Sequence, residues 1–499
     1  MKILSKRKAY LFLLIIIILT AVIYFISFKP GHNWGGDFSQ YIAQAKSIAE
    51  GYDFPGKFAG TYVASSVGPD AYPWGFPLLL SPIYYLFGLN MLAMKIYVSL
   101  FFLLSLLMIF LIFKEKFSYI QTLLLVSIFA LNPYFFSFKD NVLSDIPFFF
   151  FSLFSIFLIQ QIIIERKIWM NKFVSYLLIG FFVFFSYFIR SQGILLIPTL
   201  LICQYIINRG SFKQGIISYL RANKLEFIPY VTFVILAVII NNLFPNGDSS
   251  YLKQLFSGLT PLSIMLNIYY YSTLISTFFG GYTISIVFFG ITIPFTVLGI
   301  IKNAKKDYLY LVYTLFTFLL FIFWPAHQGL RFIFPILPFY MYFFFVGLSM
   351  IPTTLFIPGK FNPLNWNLVN ITAIILILAS CAMIGRTCFT YRVFDKSDII
   401  EGPYTVESSE MFDYISKNTS EEDMIIFIKP RVLTLYTNRI SKNMVNFNQI
   451  VESPAEYFVY SEYFKDTYDP STASQIENHQ EKFKLVFQNN KFKIYKITP

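Results

Sequence analysis

The sequence predicts an all-α membrane protein with many transmembrane helices, followed by a small α/β domain outside the membrane. Apolar residues make up 56% of the chain and charged residues only 13%, against about 25% charged residues in soluble domains. The apolar residues form blocks long enough to cross a bilayer, which takes roughly 17–25 residues. Such blocks must be helical, because backbone groups find no water in lipid. The C-terminal part differs in composition, because sixteen of the 27 acidic residues lie between Asp395 and Glu481.

Eleven apolar blocks are predicted to span the membrane. The first covers residues 9–28 behind Lys6, Arg7 and Lys8, and the lack of a small-residue cleavage site favours an uncleaved span over a signal peptide. The other ten lie near residues 91–113, 118–137, 146–164, 173–189, 193–208, 225–243, 283–301, 308–324, 332–350 and 368–386. We therefore expect a transmembrane domain over 1–386 and a soluble domain over 387–499.

Lysine and arginine are concentrated in alternate loops between these blocks. With the N-terminus in the cytoplasm, the inner loops contain Lys114, Lys116, Arg166, Lys167, Lys172, Arg209, Lys213, Arg221, Lys224, Lys302, Lys305, Lys306 and Lys360. The short outer loops are poor in both residue types, which is the positive-inside pattern. An odd number of spans then places 387–499 on the outer side of the cell membrane. The net charge of +12 thus reflects topology, and no basic stripe indicates a nucleic-acid partner.

The first outer loop is long and covers residues 29–90. Within it, Asp37 follows two glycines and precedes a predicted helix over 38–50. The apolar run 78–87 is too short to span the membrane comfortably. It is predicted to form an interfacial or re-entrant helix with Tyr72 at the level of the lipid headgroups.

The C-terminal segment shows the alternating signals of a small α/β domain. Its predicted elements are a helix over 405–417, a strand over 424–428, a helix over 430–436, a strand over 457–463 and a hairpin of 482–487 with 493–497.

Motifs of soluble enzymes are absent from the sequence. It has no P-loop, no dinucleotide fingerprint and no nucleophile elbow. Its three cysteines and three histidines are scattered, which excludes a disulfide framework and a zinc-type spacing. Chemistry must therefore use the few carboxylates and arginines at the outer ends of the spans, where ionisable residues are rare.

Two aspartates in the outer loops, Asp37 and Asp145, allow both a structural and a functional interpretation. Asp37 is placed either to cap the following helix or to act as a general base in an external cavity. Asp145 precedes Pro147 at the start of a span, and is either a cap or a second carboxylate in that cavity. Asp140 is expected to pair with Lys139 as a solvated loop charge.

Basic residues near the same face suit an anionic ligand. Arg190 ends one predicted span and Arg331 begins another, while Lys57 lies in the first outer loop. Each arginine either snorkels to lipid headgroups or binds phosphate through its planar fork. Outer-loop carboxylates are also suited to Mg²⁺ or Mn²⁺, although the sequence shows no ligand set.

The order of several short motifs resembles the multi-spanning glycosyltransferases of the GT-C fold. The resemblance lies in the group with protein O-mannosyltransferases and bacterial lipid A aminoarabinose transferases, and it covers nearly all of 1–386. The motifs are Gly36-Asp37 before a Tyr- and Ala-containing helix, Tyr72-Pro73-Trp74-Gly75-Phe76-Pro77, Leu143-Ser144-Asp145-Ile146-Pro147-Phe148, Arg190-Ser191-Gln192-Gly193 and Arg331-Phe332-Ile333-Phe334-Pro335-Ile336-Leu337-Pro338.

The resemblance implies transfer of a sugar from a polyprenyl-phosphate donor to an acceptor at the outer membrane face, with inversion. It places the catalytic acidic residue at Asp37 and leaves open whether the acceptor is a lipid, a glycan or a protein. This chain departs from eukaryotic protein mannosyltransferases in having Phe38 after Asp37 and in lacking a large β-trefoil insertion. Alternative functions are a flippase for a lipid-linked sugar and a non-catalytic scaffold, but no repeated halves typical of transporters occur.

Three basic residues of the C-terminal domain allow two interpretations. Lys429, Arg431 and Arg439 flank a predicted strand and helix. They are either solvated charges, or they face the membrane and help to hold the phosphate of donor or acceptor. The resemblance extends to this tail, which is similar to the C-terminal outer domain of some bacterial members.

Overall fold

The computed structural model describes residues 4–51, 71–168, 171–212, 223–244, 260–280, 283–325, 327, 329–351, 367–395 and 399–498. Its helices up to residue 390 are α1 (Lys6–Ser27), α2 (Gly36–Glu50), α3 (Gly75–Phe87), α4 (Met91–Phe113), α5 (Tyr119–Ala130), α6 (Pro133–Phe138), α7 (Asp145–Leu158), α8 (Lys172–Ile189), α9 (Leu196–Ile207), α10 (Arg209–Phe212), α11 (Ile228–Leu243), α12 (Pro261–Leu274), α13 (Thr283–Asn303), α14 (Tyr308–Ile322), α15 (Leu337–Leu348) and α16 (Leu368–Thr390). Helix α7 continues as a π-helix over Ile159–Ile164, and short 3₁₀ segments precede or follow several others: Ser191–Leu195, Lys224–Phe227, Ile275–Phe279 and Leu330–Ile336.

Among the described residues, eight helical segments are long and apolar enough to cross a membrane. They are Lys6–Ser27, Met91–Phe113, Asp145–Ile164, Lys172–Ile189, Lys224–Leu243, Ser285–Asn303, Leu330–Leu348 and Leu368–Thr390. Three further predicted spans correspond to shorter apolar helices, at Tyr119–Ala130, Ser191–Ile207 and Tyr308–Ile322. The protein is thus a mostly helical, multi-pass membrane protein, and the count of eleven spans stays a prediction.

The predicted span 118–137 is divided into two helices. Helix α5 ends at Ala130, and Asn132 then caps α6 by accepting hydrogen bonds from the amides of Tyr134 and Phe135. Asn132 also donates to the carbonyl of Phe278 at 2.8 Å. Because Asn is a strong N-cap residue and Pro133 fits the first helical turn, the chain restarts at this point instead of continuing as one helix.

The short helix α3 lies against the end of α8. A Cβ atom on Gly75 would be 2.5 Å from the backbone carbonyl of Phe188, so only glycine permits this approach. Helix α3 also packs against α2. The predicted short helix over 78–87 is therefore confirmed, and it holds α2 beside the loop that carries Arg190.

The C-terminal domain is built on a five-stranded mixed sheet. Its strands are β1 (Met424–Ile426), β2 (Ile440–Lys442), β3 (Tyr457–Ser461), β4 (Phe483–Gln488) and β5 (Phe492–Ile497), in the order β2-β1-β3-β5-β4. Strand β1 is parallel to β2 and β3, whereas β5 is antiparallel to β3 and β4. The helices are α17 (Val406–Asn418), α18 (Pro430–Thr437), α19 (Phe447–Glu452) and α20 (Thr472–Asn478). The predicted hairpin is confirmed, and the predicted helices over 405–417 and 430–436 correspond to α17 and α18.

Candidate active site

Asp37 lies in the first turn of α2, and its carboxylate is accessible. Gly35 occupies the N-cap position and has no side chain with which to cap, so the capping interpretation of Asp37 is wrong. The Asp37 side chain is 39% exposed. Because the free N–H groups at a helix start carry partial positive charge, a carboxylate is stabilised there. Asp37 is thus held at a helix terminus but remains open to a ligand.

Tyr72 binds directly to this carboxylate. Its hydroxyl donates to Asp37 Oδ1 at 2.7 Å. Gln44 on α2 fixes the Tyr72 backbone, because its side-chain amide donates to the Tyr72 carbonyl at 2.9 Å and accepts from the Tyr72 amide at 3.1 Å. The Tyr72 ring also packs on Tyr41 at a centroid distance of 4.8 Å. Tyr72 is therefore part of the candidate site, a position that our prediction of a headgroup anchor did not include.

Asp145 is the first residue of α7, and its side chain is only 1% exposed. Its Oδ1 atom lies 2.7 Å from Nη1 of Arg190, and its Oδ2 atom lies 3.7 Å from Nη1 of Arg331. A buried carboxylate requires such partners, because an unpaired charge in the protein interior costs several kcal/mol. Asp145 is thus an internal counter-charge for two guanidinium groups.

Arg190 and Arg331 both lie close to the ring of Phe332. The guanidinium carbons of Arg190 and Arg331 are 4.4 Å and 5.1 Å from the centroid of Phe332. Arg190 also donates to the Ser144 hydroxyl at 3.2 Å. Because aromatic faces attract guanidinium groups, Phe332 helps to hold both arginines at the site.

Arg331 joins the two carboxylates. Its Nη2 atom lies 3.4 Å from Asp37 Oδ2, while its Nη1 atom faces Asp145 at 3.7 Å. The structure therefore brings together all four residues of the transmembrane part that the sequence favoured most: Asp37, Asp145, Arg190 and Arg331. Lys57, the fifth, lies outside the described residues.

Arg431 enters the same site from the C-terminal domain. It is the second residue of α18, and its Nη1 atom donates to the Tyr72 hydroxyl at 3.2 Å and lies 3.8 Å from Asp37 Oδ1. With Arg190 and Arg331 it makes three guanidinium groups against two carboxylates, which leaves one positive charge. Guanidinium groups bind phosphate through paired hydrogen bonds, so the site suits an anionic ligand.

The other two basic residues of the C-terminal domain are placed differently. Lys429 lies over the Phe464 ring at 5.0 Å, and burial lowers the pKa of its ammonium group. Arg439 is 8% exposed, and its guanidinium donates to Ser416, Thr419 and Thr437 within the domain. Arg439 therefore contributes to the folding of the domain, and the structure does not place it with Arg431.

The pairing of Asp140 with Lys139 is confirmed at 2.5 Å, but the prediction that this pair is solvated is wrong. The Asp140 side chain is 16% exposed and also lies 3.1 Å from Nζ of Lys95, which is fully buried. Lys95 further donates to the carbonyls of Lys29 and Gly31. Sequence analysis overlooked Lys95, although a lone lysine in the apolar span Met91–Phe113 is an unusual feature.

The carboxylates do not form an evident cation site. Among the described residues, no group of three or more His, Cys, Asp or Glu side chains could hold a metal ion. The guanidinium of Arg331 already lies between Asp37 and Asp145, where a shared Mg²⁺ or Mn²⁺ would have to sit. The positive charge of this site is therefore supplied by arginines.

Comparison with known proteins identifies the class. A family model of dolichyl-phosphate-mannose-protein mannosyltransferases matches residues 72–244, which include Tyr72, Asp145 and Arg190. A search of curated protein sequences gave no significant match.

Solved structures match over almost the whole chain. ArnT from Cupriavidus metallidurans in the apo state is 12% identical, with 98% of each chain covered and a TM-score of 0.60. ArnT from the same organism bound to undecaprenyl phosphate gives a TM-score of 0.57 at 12% identity, with 97% of each chain covered. The oligosaccharyltransferase AglB from Archaeoglobus fulgidus, with an inhibitory peptide and a dolichol-phosphate, is 12% identical over 92% of this chain and 70% of its own, with a TM-score of 0.56.

The chain has the fold of ArnT and of the archaeal oligosaccharyltransferase, which is the GT-C fold of membrane glycosyltransferases. Within that class it is similar to the dolichyl-phosphate-mannose-protein mannosyltransferases and, in overall structure, to ArnT.

Proposed function

We propose that the protein transfers a sugar from a polyprenyl-phosphate donor to an acceptor at the outer face of the cell membrane, with inversion at the anomeric carbon. The observation that carries this proposal is the bridge from Asp37 through Arg331 to Asp145, with Arg190 and Arg431 beside it. An accessible carboxylate next to several guanidinium groups matches the needs of a base and a phosphate leaving group. The relatives bound to undecaprenyl phosphate and dolichol-phosphate support a donor of this kind.

Exposure divides the two carboxylates into different roles. Asp37 is 39% exposed and accepts a hydrogen bond from Tyr72, so an acceptor hydroxyl can take the place of the Tyr72 hydroxyl. Asp145 is 1% exposed and forms ion pairs with Arg190 at 2.7 Å and with Arg331 at 3.7 Å, so it positions the arginines. We therefore assign Asp37 as the general base and Asp145 as the residue that orients the phosphate-binding groups.

The reaction then proceeds by direct displacement. The acceptor oxygen forms a bond to the anomeric carbon while its proton passes to Asp37. The bond between the anomeric carbon and the phosphate oxygen breaks, and its electron pair remains on that oxygen. Arg190 and Arg331 stabilise the developing phosphate charge, since preorganised donors aimed at developing charge lower the barrier. A positioned base contributes about 10²–10⁴-fold to such a step.

Charge at the two ends of the helices supports an outer location for the site. Helix α7 begins in the site, at Asp145, and its π-helical continuation ends just before Arg166 and Lys167. Helix α4 carries Lys95, which binds the loop that leads to Asp37, and it ends just before Lys114 and Lys116. Because basic residues remain on the cytoplasmic side, the site end of these helices faces outward. We infer that the N-terminus is cytoplasmic, that 1–386 forms the membrane part with the outer loop 29–90, and that 387–499 forms an outer domain.

A transfer assay tests this function. The purified protein in detergent is incubated with synthetic polyprenyl-phosphate sugars and with lipid, glycan and peptide acceptors, and release of polyprenyl phosphate is measured together with the glycosylated product. We expect coupled formation of both products with at least one pair of substrates. A flippase only moves its lipid across a membrane, so in detergent it would release no polyprenyl phosphate. Absence of polyprenyl phosphate release with every substrate pair would therefore contradict the proposal.

A further inference from the structure

Trp34 lies three residues before Asp37, and its indole is inserted into the C-terminal domain. The side chain belongs to the first long loop of the membrane part, yet the residue is only 8% exposed. Five aromatic rings of the C-terminal domain surround it at centroid distances between 5.6 and 6.3 Å. We call these residues the aromatic socket: Phe412, Phe427, Tyr463, Phe464 and Phe492.

The socket draws on several elements of the domain. Phe412 lies on α17, Phe427 directly follows β1, and Phe492 begins β5. A single indole therefore contacts parts of the domain that are far apart in sequence. Aromatic pairs of this kind contribute about 0.5–1.5 kcal/mol each beyond the area they bury. Trp34 is thus a strong connection between the two parts of the chain.

The chain beside Trp34 is also held from both directions. The amide of Ile400 donates to the Pro30 carbonyl at 3.2 Å, and a Cβ atom on Gly402 would lie 1.8 Å from the carbonyl oxygen of His32. On the membrane side, Lys95 binds the carbonyls of Lys29 and Gly31 at 2.8 and 2.7 Å. The segment that leads to Asp37 is therefore clamped between α4 and the C-terminal domain.

Arg431 reaches the site through the same contact region. Phe427, a socket residue, precedes Arg431 by four positions, with the start of α18 between them. A Cβ atom on Gly36 would lie 3.6 Å from Cδ of Arg431, so the arginine stem passes over the glycine next to Asp37. The docking of Trp34 and the approach of Arg431 to Tyr72 and Asp37 thus belong to one arrangement.

We propose that Trp34 is a positioning residue that pins the C-terminal domain to the first long loop and thereby sets Arg431 against Asp37. The proposal rests on the proposed function and extends it, because it makes the C-terminal domain part of the active site. Loss of the indole releases the domain, and the site then loses the third guanidinium group. Trp34 itself touches neither donor nor acceptor.

A double-mutant cycle tests this link. Trp34→Ala, Arg431→Gln and the combined variant are compared by kcat/KM for sugar transfer and by donor affinity. If Trp34 acts through Arg431, the combined variant loses no more activity than the larger single loss, because residues that act as a unit are not additive. Trp34→Phe, which keeps an aromatic ring in the socket, restores at least half of the lost activity. Losses that multiply in the combined variant overturn the proposal.

Variants in the C-terminal domain keep the proposal testable if Trp34→Ala fails to fold. Phe464→Ala removes one ring of the aromatic socket and lowers kcat/KM as Trp34→Ala does. Adding Arg431→Gln to Phe464→Ala then causes no further loss. Phe483→Ala is the matched control, because Phe483 is a buried aromatic of the same domain, at 1% exposure, and is not one of the socket residues. In the Phe483→Ala background, Arg431→Gln lowers kcat/KM as much as it does in the parent protein. Equal behaviour of the Phe464 and Phe483 variants contradicts the proposal.

Domain docking is also measured without any turnover. Limited proteolysis of the full-length protein reports cleavage in the segment 399–405, which contacts the loop at Pro30 and His32 through Ile400 and Gly402. Trp34→Ala increases this cleavage severalfold, whereas Arg431→Gln does not. Unchanged cleavage in Trp34→Ala refutes the positioning role. Absence of sugar transfer by the parent protein refutes the proposed function and leaves this docking result standing, so the two failures are distinguishable.

Discussion

Arg331 lies between Asp37 and Asp145 and contacts one carboxylate with each of its terminal nitrogens, at 3.4 and 3.7 Å. One of these carboxylates is accessible and the other is buried. Asp145, the buried carboxylate, holds Arg331 in place, and Arg331 in turn fixes the position of the accessible carboxylate of Asp37. This relationship supports the different roles that we propose for two aspartates from distant parts of the chain.

Asp37→Asn is expected to abolish transfer without unfolding the protein. An amide keeps the hydrogen bond from Tyr72 but cannot take up the acceptor proton. The turnover number should fall about 10²–10⁴-fold, the usual contribution of a general base. The purified variant is assayed for transfer, for donor binding and for its melting temperature. A variant that turns over at more than about a tenth of the parent rate, a smaller loss than a base contributes, would show that Asp37 is not the base.

Arg190→Lys and Arg331→Lys are expected to weaken donor binding. Lysine keeps the charge but cannot make paired hydrogen bonds to phosphate. A lost charge-assisted bond is worth about 1.5–3 kcal/mol, so the dissociation constant for the donor should rise about 10- to 100-fold. Arg209→Lys, at an exposed position of α10, is the control. Unchanged affinity in both site variants would leave only the snorkelling interpretation.

Arg431→Gln is expected to lower activity, whereas Arg439→Gln is expected to lower stability. Arg431 contacts Asp37 and Tyr72, so its loss should reduce transfer while the melting temperature stays the same. Arg439 makes four hydrogen bonds inside its domain, and each buried partner left unsatisfied costs about 1–3 kcal/mol. Arg439→Gln should therefore destabilise the domain, as measured by proteolysis of the full-length protein. The reverse pattern would exchange the two assignments.

Protonation of His32 is expected to destabilise the protein in mild acid. Burial, with Lys95 nearby, lowers the pKa of His32 from 6.5 to about 4, against the opposing effects of the Asn33 carbonyl and Asp140. As the pH falls, His32 is therefore protonated in the unfolded chain before it is protonated in the folded protein. The contribution of neutral His32 to the free energy of unfolding is complete above pH 6.5 and is lost as the pH falls towards 4. The total loss is about 3 kcal/mol. Melting temperatures measured over this range should fall less steeply in His32→Phe than in the parent, whereas the exposed-site control His479→Phe should keep the parental slope.

The topology is tested by thiol labelling. The native cysteines are replaced by serine, and single cysteines are introduced at the exposed positions Ser474 and Lys305. An impermeant reagent should label Ser474→Cys in intact cells, or in spheroplasts if an outer membrane intervenes, and should label Lys305→Cys only after lysis. Labelling of both in intact cells would contradict the cytoplasmic placement of the α13–α14 loop.

The sequence was most informative where one physical effect dominates. Apolar runs of sufficient length form helices, so each predicted span falls on helical segments, although the span 118–137 is divided between α5 and α6. Asp37, Asp145, Arg190 and Arg331 stand out because charges are costly at span ends. Strand β2 was missed, because it has only three residues and includes polar Ser441 and Lys442.

Contacts between distant residues could not be predicted. Tyr72 donates to Asp37 across 35 residues, and Arg331 reaches Asp37 across 294. Neither pairing has a local pattern, because each depends on how the helices pack. For the same reason, the sequence does not indicate which of Arg431 and Arg439 reaches the site. Both are arginines at the ends of α18, and only the orientation of the domain separates a site residue from a buried structural one.

The position of Arg431 near the end of the chain has a consequence for biogenesis. Asp37 leaves the ribosome early, whereas Arg431, the third guanidinium group of its site, is synthesised only after the membrane helices. A chain that ends before α18 therefore lacks one of the three guanidinium groups of the candidate site, and it is expected to transfer sugar less efficiently than the full-length protein.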